Sequence, residues 1–279
     1  MAASTEEPNR LVSIDDLLAI VHGAGKEILR WYEEPVRVEI KTDNSPLTQA
    51  DRAAHRHLVR ELALLTPDVP VLSEESSEGE VRDRRRWSRF WLVDPLDGTK
   101  EFLKGSGEFT VNVALVEDGR PVLGVVHVPP TGRTYRATPE LGAEVGGRDE
   151  PFRTIRARPF RESAPVLVAS RDHAGPGVEA LARELGDRSG REVEFTSMGS
   201  SLKFCILAEG GADLYLRDRP TMEWDTGAAQ SVLERAGGGV YSLEGTVLGY
   251  NKASLKNPPF LAVGDPSGPW KDLIHRTRL

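Results

Sequence analysis

Two aspartates three positions apart, Asp94 and Asp97, lie in Asp94-Pro95-Leu96-Asp97-Gly98-Thr99, directly after the apolar run Phe90-Trp91-Leu92-Val93. Such a run reads as a short buried strand. The acids then leave it at a turn that Pro95 stiffens and Gly98 loosens. Thr99 opens a short helical segment, Thr99 to Lys104. Strand end, acids and helix start put oxygen ligands for a hard cation, N–H groups for an anion and a hydroxyl in one place. That combination suits Mg2+-assisted chemistry on a phosphate. Asp-Pro and Asp-Gly are also ordinary turn formers, and Asp is a common helix cap. The stretch therefore needs company elsewhere in the chain.

Three further places supply it. Val69-Pro70-Val71-Leu72-Ser73 reads as a short strand that ends in Glu74-Glu75, repeating the pattern of acids at a strand end. Asp51 stands in the first turn of a helix from about Thr48 to Leu65, where it is either a capping residue or an acid aimed at a shared site. Asp225, in Met222-Glu223-Trp224-Asp225-Thr226, stands at a helix N-terminus, again as a cap or as a carboxylate that closes the site from the second half of the chain. Gly199-Ser200-Ser201-Leu202-Lys203 lies where a strand turns into a helix. Its N–H groups, hydroxyls and the Lys203 ammonium could receive a second phosphate; plain capping and a surface charge are the alternatives. Ser170-Arg171-Asp172-His173 is a second candidate surface. It also reads as a solvated loop.

The elements that must position these residues follow from periodicity. Ser13 to about Glu33 is a helix with an S-x-x-D start. Val36 to Ile40 alternates as a strand. Phe109 to Val116 and Pro121 to Val128 form a hairpin across Glu117-Asp118-Gly119-Arg120, and Arg133 to Thr138 and Leu141 to Val145 add short strands. After Pro151 to Pro165 the pattern alternates: strands at 166–170, 193–196 and 212–216, helices at 177–185, 200–209 and 225–235, and a final strand at 239–241. The chain divides into a tail, residues 1–12, an α+β half with the metal motifs, 13–155, and an α/β half, 156–279, that completes the site. The fold class is α/β.

Composition narrows the function. The chain has 279 residues and a net charge of −7, which argues against binding a nucleic-acid polymer. The arginines at 82, 84, 85, 86 and 89 read as a solvated loop. The single cysteine, Cys205, excludes an internal disulfide, fits a reducing compartment, and lies in an apolar run where a buried thiol is expected. There is no signal-peptide pattern and no run long enough to span a membrane. These features point to the cytoplasm, with peripheral attachment to the inner membrane left open. No histidine or cysteine belongs to the acidic motifs, which argues against a zinc hydrolase or a phosphocysteine route.

Taken in order, KTDNSPLTQAD (41–51), VPVLSEE (69–75), WLVDPLDGTKEF (91–102), GEFTVNV (107–113), SMGSSLKFCILAEG (197–210) and Trp224-Asp225-Thr226 resemble the inositol monophosphatase superfamily of Mg2+-dependent, lithium-sensitive phosphatases. Within it they resemble the bacterial 3'(2'),5'-bisphosphate nucleotidases of sulfur metabolism. The resemblance implies a layered sugar-phosphatase fold and hydrolysis of the 3'-phosphate of adenosine 3',5'-bisphosphate, with related 3'-phosphorylated sulfate donors as further substrates. Inositol monophosphate or a sugar phosphate is the alternative substrate, and a non-catalytic nucleotide-binding protein is a further one. It implies two or three Mg2+ ions. Glu74 would hold the first, Asp94 would bridge, the Leu96 carbonyl would complete the first site, and Asp97 and Asp225 would hold the second. Asp51 and Thr99 would pair to orient and help deprotonate the attacking water. The Gly98 and Thr99 amides would receive the phosphate, with Glu74, Leu96, Asp97 and Asp225 beside it and Gly199, Ser200 and Lys203 at the remainder of the substrate. Asp43 matches a motif position without a role. The partner is a small phosphorylated nucleotide, and the protein is a monomer or homodimer.

Overall fold

A computed structural model describes residues 12–32, 39–40, 46–47, 49–169 and 175–277. In chain order the elements are α1 (Ile14–Tyr32), β1 (Glu39–Ile40), β2 (Pro46–Leu47), α2 (Gln49–Leu65), β3 (Val71–Ser73), α3 (Glu78–Asp83), a 3-10 turn (Arg84–Arg86), β4 (Arg89–Asp97) and α4 (Thr99–Leu103). There follow β5 (Thr110–Glu117), β6 (Arg120–Val128), β7 (Arg133–Thr138), β8 (Gly142–Gly146) and β9 (Arg153–Thr154). The second half contains β10 (Val166–Ala169), α5 (Pro176–Ser189), β11 (Glu194–Ser197), α6 (Leu202–Ala208), β12 (Leu214–Arg217), α7 (Gly227–Arg235), β13 (Gly239–Ser242), β14 (Phe260–Val263) and α8 (Trp270–Thr277).

The first sheet runs β3-β4-β5-β6-β7-β8-β9. It is antiparallel except for the parallel pair β3–β4. The β5–β6 hairpin turns through Asp118 and Gly119, with φ of 47° and 75°. Two left-handed residues at the tip match the twist of the flanking strands. The second sheet runs β11-β10-β12-β14-β13, parallel around β10 and antiparallel where β14 joins.

The strand patterns explain how the layers stack. Along β4, Trp91 and Val93 enter one core with Leu17, Val21 and Ile28 of α1 and Ala54, Leu58 and Leu62 of α2. Phe90 and Leu92, on the alternate positions, enter another with Phe204 and Leu207 of α6 and Val232 and Leu233 of α7. A strand buried on both faces must be apolar without interruption, which is why 90–93 does not alternate. The second sheet also has two apolar faces. Val168, Tyr215 and Phe260 join the core around α6 and α7, while Leu167, Leu214, Leu216 and Leu261 pack on α5 and α8. The order of layers is therefore α1/α2, first sheet, α6/α7, second sheet, α5/α8. This is the α/β architecture the sequence predicts.

Several expectations change. The strand at 90–93 does not end at Asp94; β4 continues to Asp97. The stretch that carries the arginines at 82–89 is not only a solvated loop. Ser77 caps α3 and forms a reciprocal capping box with Glu80. Arg84 is buried rather than solvated, 4% exposed, and donates to the carbonyls of Val81, Lys252 and Ala253. The strand at 239–242 is not the last, because β14 and α8 follow. Their signals are four-residue and eight-residue runs inside a Pro- and Gly-rich tail, too short for periodicity to stand out. The expected strand at 36–40 is described only at Glu39–Ile40. Residue Asp43, most of the 41–51 motif and the surface at 170–173 lie outside the described residues.

Candidate active site

β4 enters the site as a regular strand and loses its register at the first acid. Asp94 pairs with Asn112 and Asp97 with Thr110, so three steps along β4 match two along β5. One residue is extra, which makes a β-bulge, and Pro95, with no N–H to give, sits inside it. In an unbroken strand side chains alternate, and two acids three apart would point to opposite faces. The bulge removes that conflict. Asn112 and Thr110, two apart on β5, both reach Asp97.

Each central carboxylate has one oxygen tied to a backbone amide. Asp94 Oδ1 accepts from Leu96 N–H at 3.1 Å, Asp97 Oδ2 from Ser201 N–H at 2.6 Å, and Asp225 Oδ2 from Met222 N–H at 2.8 Å. Among the described residues the second oxygen of each accepts no hydrogen bond. Asp225 comes from the loop before α7. The N-cap position of that helix is Thr226, so Asp225 does not cap it but is turned back on its own loop. Asp51 lies in the first turn of α2 and is 2% exposed. Glu74 follows β3, and its N–H extends the ladder to the Val93 carbonyl at 3.1 Å.

The acids share one electrostatic field. Burial pushes Asp94 well above the usual carboxylate range, and the negative charges of Glu74, Asp97, Asp225 and Asp51 push it further. Burial and then Asp97 raise Asp225 to about 8, against the Met222 amide. Burial raises Asp97, with the Lys203 ammonium and the Ser201 amide opposing. Among the described residues no three acidic, histidine or cysteine side chains already form a closed cage for an ion. The donor chemistry nevertheless fits a hard cation. Anchored carboxylates present an unengaged oxygen each, and their mutual repulsion is relieved by positive charge.

Next to the acids is a cavity of about 260 Å³, bounded among others by Asp97, Gly98, Ser200, Lys203, Arg217 and Asp225. Gly98 begins α4 with φ of 97°, a conformation that glycine adopts without strain. The Thr99 hydroxyl donates to the Leu96 carbonyl at 3.4 Å. Ser200 is left-handed, with φ of 47°, and its buried hydroxyl has no hydrogen-bond partner among the described residues. Lys203, which reads from sequence as a surface charge, is 6% exposed. Its ammonium donates to the Ser200 carbonyl at 2.9 Å and lies over the Tyr215 ring. Gly199 differs from the expectation, since its N–H is already given to the Glu108 carboxylate at 2.9 Å.

Sequence reasoning missed the residues that hold the acids in place. Ser201 donates its hydroxyl to Asn112 Oδ1 at 2.9 Å and meets the Thr110 hydroxyl at 3.0 Å. This stitches the start of α6 to β5 directly beside Asp97. All three stand inside the recognised GEFTVNV and GSSLKFC segments, so the signal was present without a role attached. Arg217, Arg219 and Thr221, which also line the cavity, carried no local signal.

The chain matches the inositol monophosphatase family model over residues 12–271. It is 45% identical over 252 residues to the 3'(2'),5'-bisphosphate nucleotidase CysQ of Escherichia coli (strain K12), covering 88% of this chain and 98% of that protein. The protein of the same description from Haemophilus influenzae is 34% identical over 264 residues, 94% of this chain and 96% of the relative. Among solved structures, CysQ from Bacteroides thetaiotaomicron superposes with a TM-score of 0.79 at 40% identity, covering 91% of this chain and 98% of that one. An inositol monophosphatase from Thermotoga maritima, at 24% identity and a TM-score of 0.74, shares the fold.

Proposed function

Because the chain belongs to the inositol monophosphatase family, we propose that it hydrolyses the 3'-phosphate of adenosine 3',5'-bisphosphate, giving AMP and phosphate, as a Mg2+-dependent phosphoric monoester hydrolase. The observation that carries this reading is the set of anchored carboxylates around Asp94, each with one oxygen on a backbone amide. Glu74, Asp94, the Leu96 carbonyl, Asp97 and Asp225 would hold two or three Mg2+ ions. When bound, these supply the positive charge that polarises the phosphoryl group and offsets charge on the attacking and leaving oxygens.

The chain's own groups do the rest. The Gly98 and Thr99 amides, at the start of α4, receive the phosphate. Thr99 orients the attacking water, and Asp51, buried in α2, takes part in removing its proton. Water adds to phosphorus, the bond to the 3'-oxygen breaks, and that oxygen leaves with a proton. Ser200, Lys203 and Arg217 give the cavity wall hydroxyl and cationic character, which suits a second phosphate on the same substrate. No described helix is long and apolar enough to cross a membrane, and the substrate is a small diffusible molecule.

Phosphate release with Mg2+, with and without lithium, tests the reading by comparing adenosine 3',5'-bisphosphate with inositol 1-phosphate. Preference for the nucleotide with block by lithium is expected. Preference for the inositol ester would move the substrate, and turnover of neither would remove the assignment.

A further inference from the structure

The Asp225 carboxylate stands in no helix or strand. The segment between β12 and α7 is held from outside, and Lys252 stands at the centre of that grip. Its ammonium has three hydrogens and three acceptors: Glu223 Oε1 at 2.7 Å, the Gly249 carbonyl at 2.8 Å and Asn257 Oδ1 at 3.1 Å. Glu223 is fully buried and also receives the N–H groups of Asn251, at 2.7 Å, and Lys252, at 3.0 Å. Asn257 passes the grip on. Its Nδ2 donates to the Met222 carbonyl at 2.8 Å and to the Thr226 hydroxyl at 3.1 Å, and its backbone N–H donates to the Thr221 carbonyl at 2.8 Å. Met222 is the residue whose own N–H fixes Asp225 Oδ2.

Lys252 thus holds the loop on both sides of Asp225 without touching it: directly at Glu223, and through Asn257 at Met222 and Thr226. Its own segment is tied down in turn. Arg84 donates to the Lys252 carbonyl at 2.8 Å, and Asn251 Nδ2 reaches back to the Arg84 and Trp87 carbonyls, each at 3.0 Å. Arg84 lies on the 3-10 turn that follows Glu74 by one short helix. Glu223 is fully buried and the Lys252 side chain is 28% exposed, and burying a paired charge is an expensive way to stabilise a fold, since apolar residues of the same volume often serve as well. It does, however, set position sharply when every donor and acceptor is used.

We infer that Lys252 is a positioning residue for Asp225, acting through Glu223 and Asn257 to aim the unengaged Asp225 oxygen at the cation site. The inference rests on the reading that Asp225 holds a cation, and its test reads binding directly so that the two can fail separately. The full-length protein is titrated with Mn2+ alone, followed by electron paramagnetic resonance, as wild type, Lys252→Met and Asn257→Ala. Circular dichroism establishes that each is folded. Both variants should bind Mn2+ about tenfold more weakly, the scale of losses when groups behind a metal ligand are removed. They should need correspondingly more Mg2+ for half-maximal turnover and keep kcat close to wild type at saturating Mg2+. Should Lys252→Met fail to fold, because Glu223 is left buried and unpaired, Asn257→Ala decides alone.

Unchanged Mn2+ affinity in a folded variant whose thermal midpoint has dropped would make the network a purely structural one and overturn the inference. Weaker binding in the variants, with a wild type that turns over no nucleotide, would support the positioning role and overturn only the proposed reaction. A wild type that binds no Mn2+ would overturn both.

Discussion

The two sides of the site are built by different means. On the β4 side the acids are fixed by backbone. A strand buried on both faces carries Asp94 and Asp97, a one-residue bulge sets their direction, and neighbours on β5 complete the hold on Asp97. On the Asp225 side the ladder shrinks to the isolated bridge Met222–Lys256, and polar groups of residues 251, 252 and 257, tied back to Arg84, fix an irregular loop. A strand end is stiff because every residue of the ladder contributes to it. A loop is only as stiff as the few polar groups that tie it. The β4 side should therefore supply the fixed part of the chemistry, and the Asp225 side the part whose affinity can be tuned.

The largest effect expected from this contrast is at Asp94. Asp94→Asn should lower kcat at saturating Mg2+ by about 10³-fold, the loss typical of removing a key electrostatic group. Turnover at the wild-type level would break the assignment of β4 as the fixed side. Thr99→Ala should lower kcat by about 10²-fold, as for a group that acts on the proton of the water, while Mn2+ affinity stays unchanged. A loss of Mn2+ binding with normal kcat would move Thr99 from the water to the metal.

Stability against pH sharpens the comparison further. Asp225 has its folded pKa raised from 3.8 to about 8, chiefly by burial and then by Asp97, and Asp94 is raised in the same direction. The metal-free folded protein therefore holds these protons more tightly than the unfolded chain does. The contribution of Asp225 to stability is full below its unfolded value and is lost as pH rises through about 8. The thermal midpoint of the metal-free protein should fall across that window, and Mg2+ should raise it more at the alkaline end than at the acid end. A Mg2+ effect that does not depend on pH would mean that cations do not relieve this repulsion. The smallest effect is expected at the seam between the two sides. Ser201→Ala removes the hydroxyl that joins Asn112 and Thr110. It should cost about 1–3 kcal/mol in denaturant unfolding, and a change near zero would show that the Ser201 amide alone holds Asp97.

Much of the β4 side was legible in the chain. The run 90–93, the Asp-Gly hairpin at 118–119 and the helical spacing of Leu17, Val21 and Ile28 are local patterns, and local patterns decide elements. The reading of Asp94-Pro95-Leu96-Asp97 as a turn missed the bulge, because a bulge is defined by the partner strand and β5 is not adjacent in sequence. Asp225 was found by its motif, with a helix cap as the alternative reading, and the structure places it one residue before the N-cap of α7. The residue that holds it, Met222, is only three positions away, but the reason that Met222 stays in place lies at Asn257 and Lys252.

The sequence alone determined which residue types the site would use, in what order along the chain, and which strands and helices would carry most of them. Types and periods are local properties, and the acidic motifs are long enough to name a family. The tertiary structure alone decided that Lys203 and Arg84 are buried rather than solvated, that Gly199 spends its amide on Glu108, and that a lysine far along the chain steadies Asp225. Each of these depends on what a side chain meets from another layer of the fold. Burial and long-range hydrogen-bond partnership are settled when the five layers close on one another, and Arg84 with Lys252, or Gly199 with Glu108, never fall in one short window of the chain.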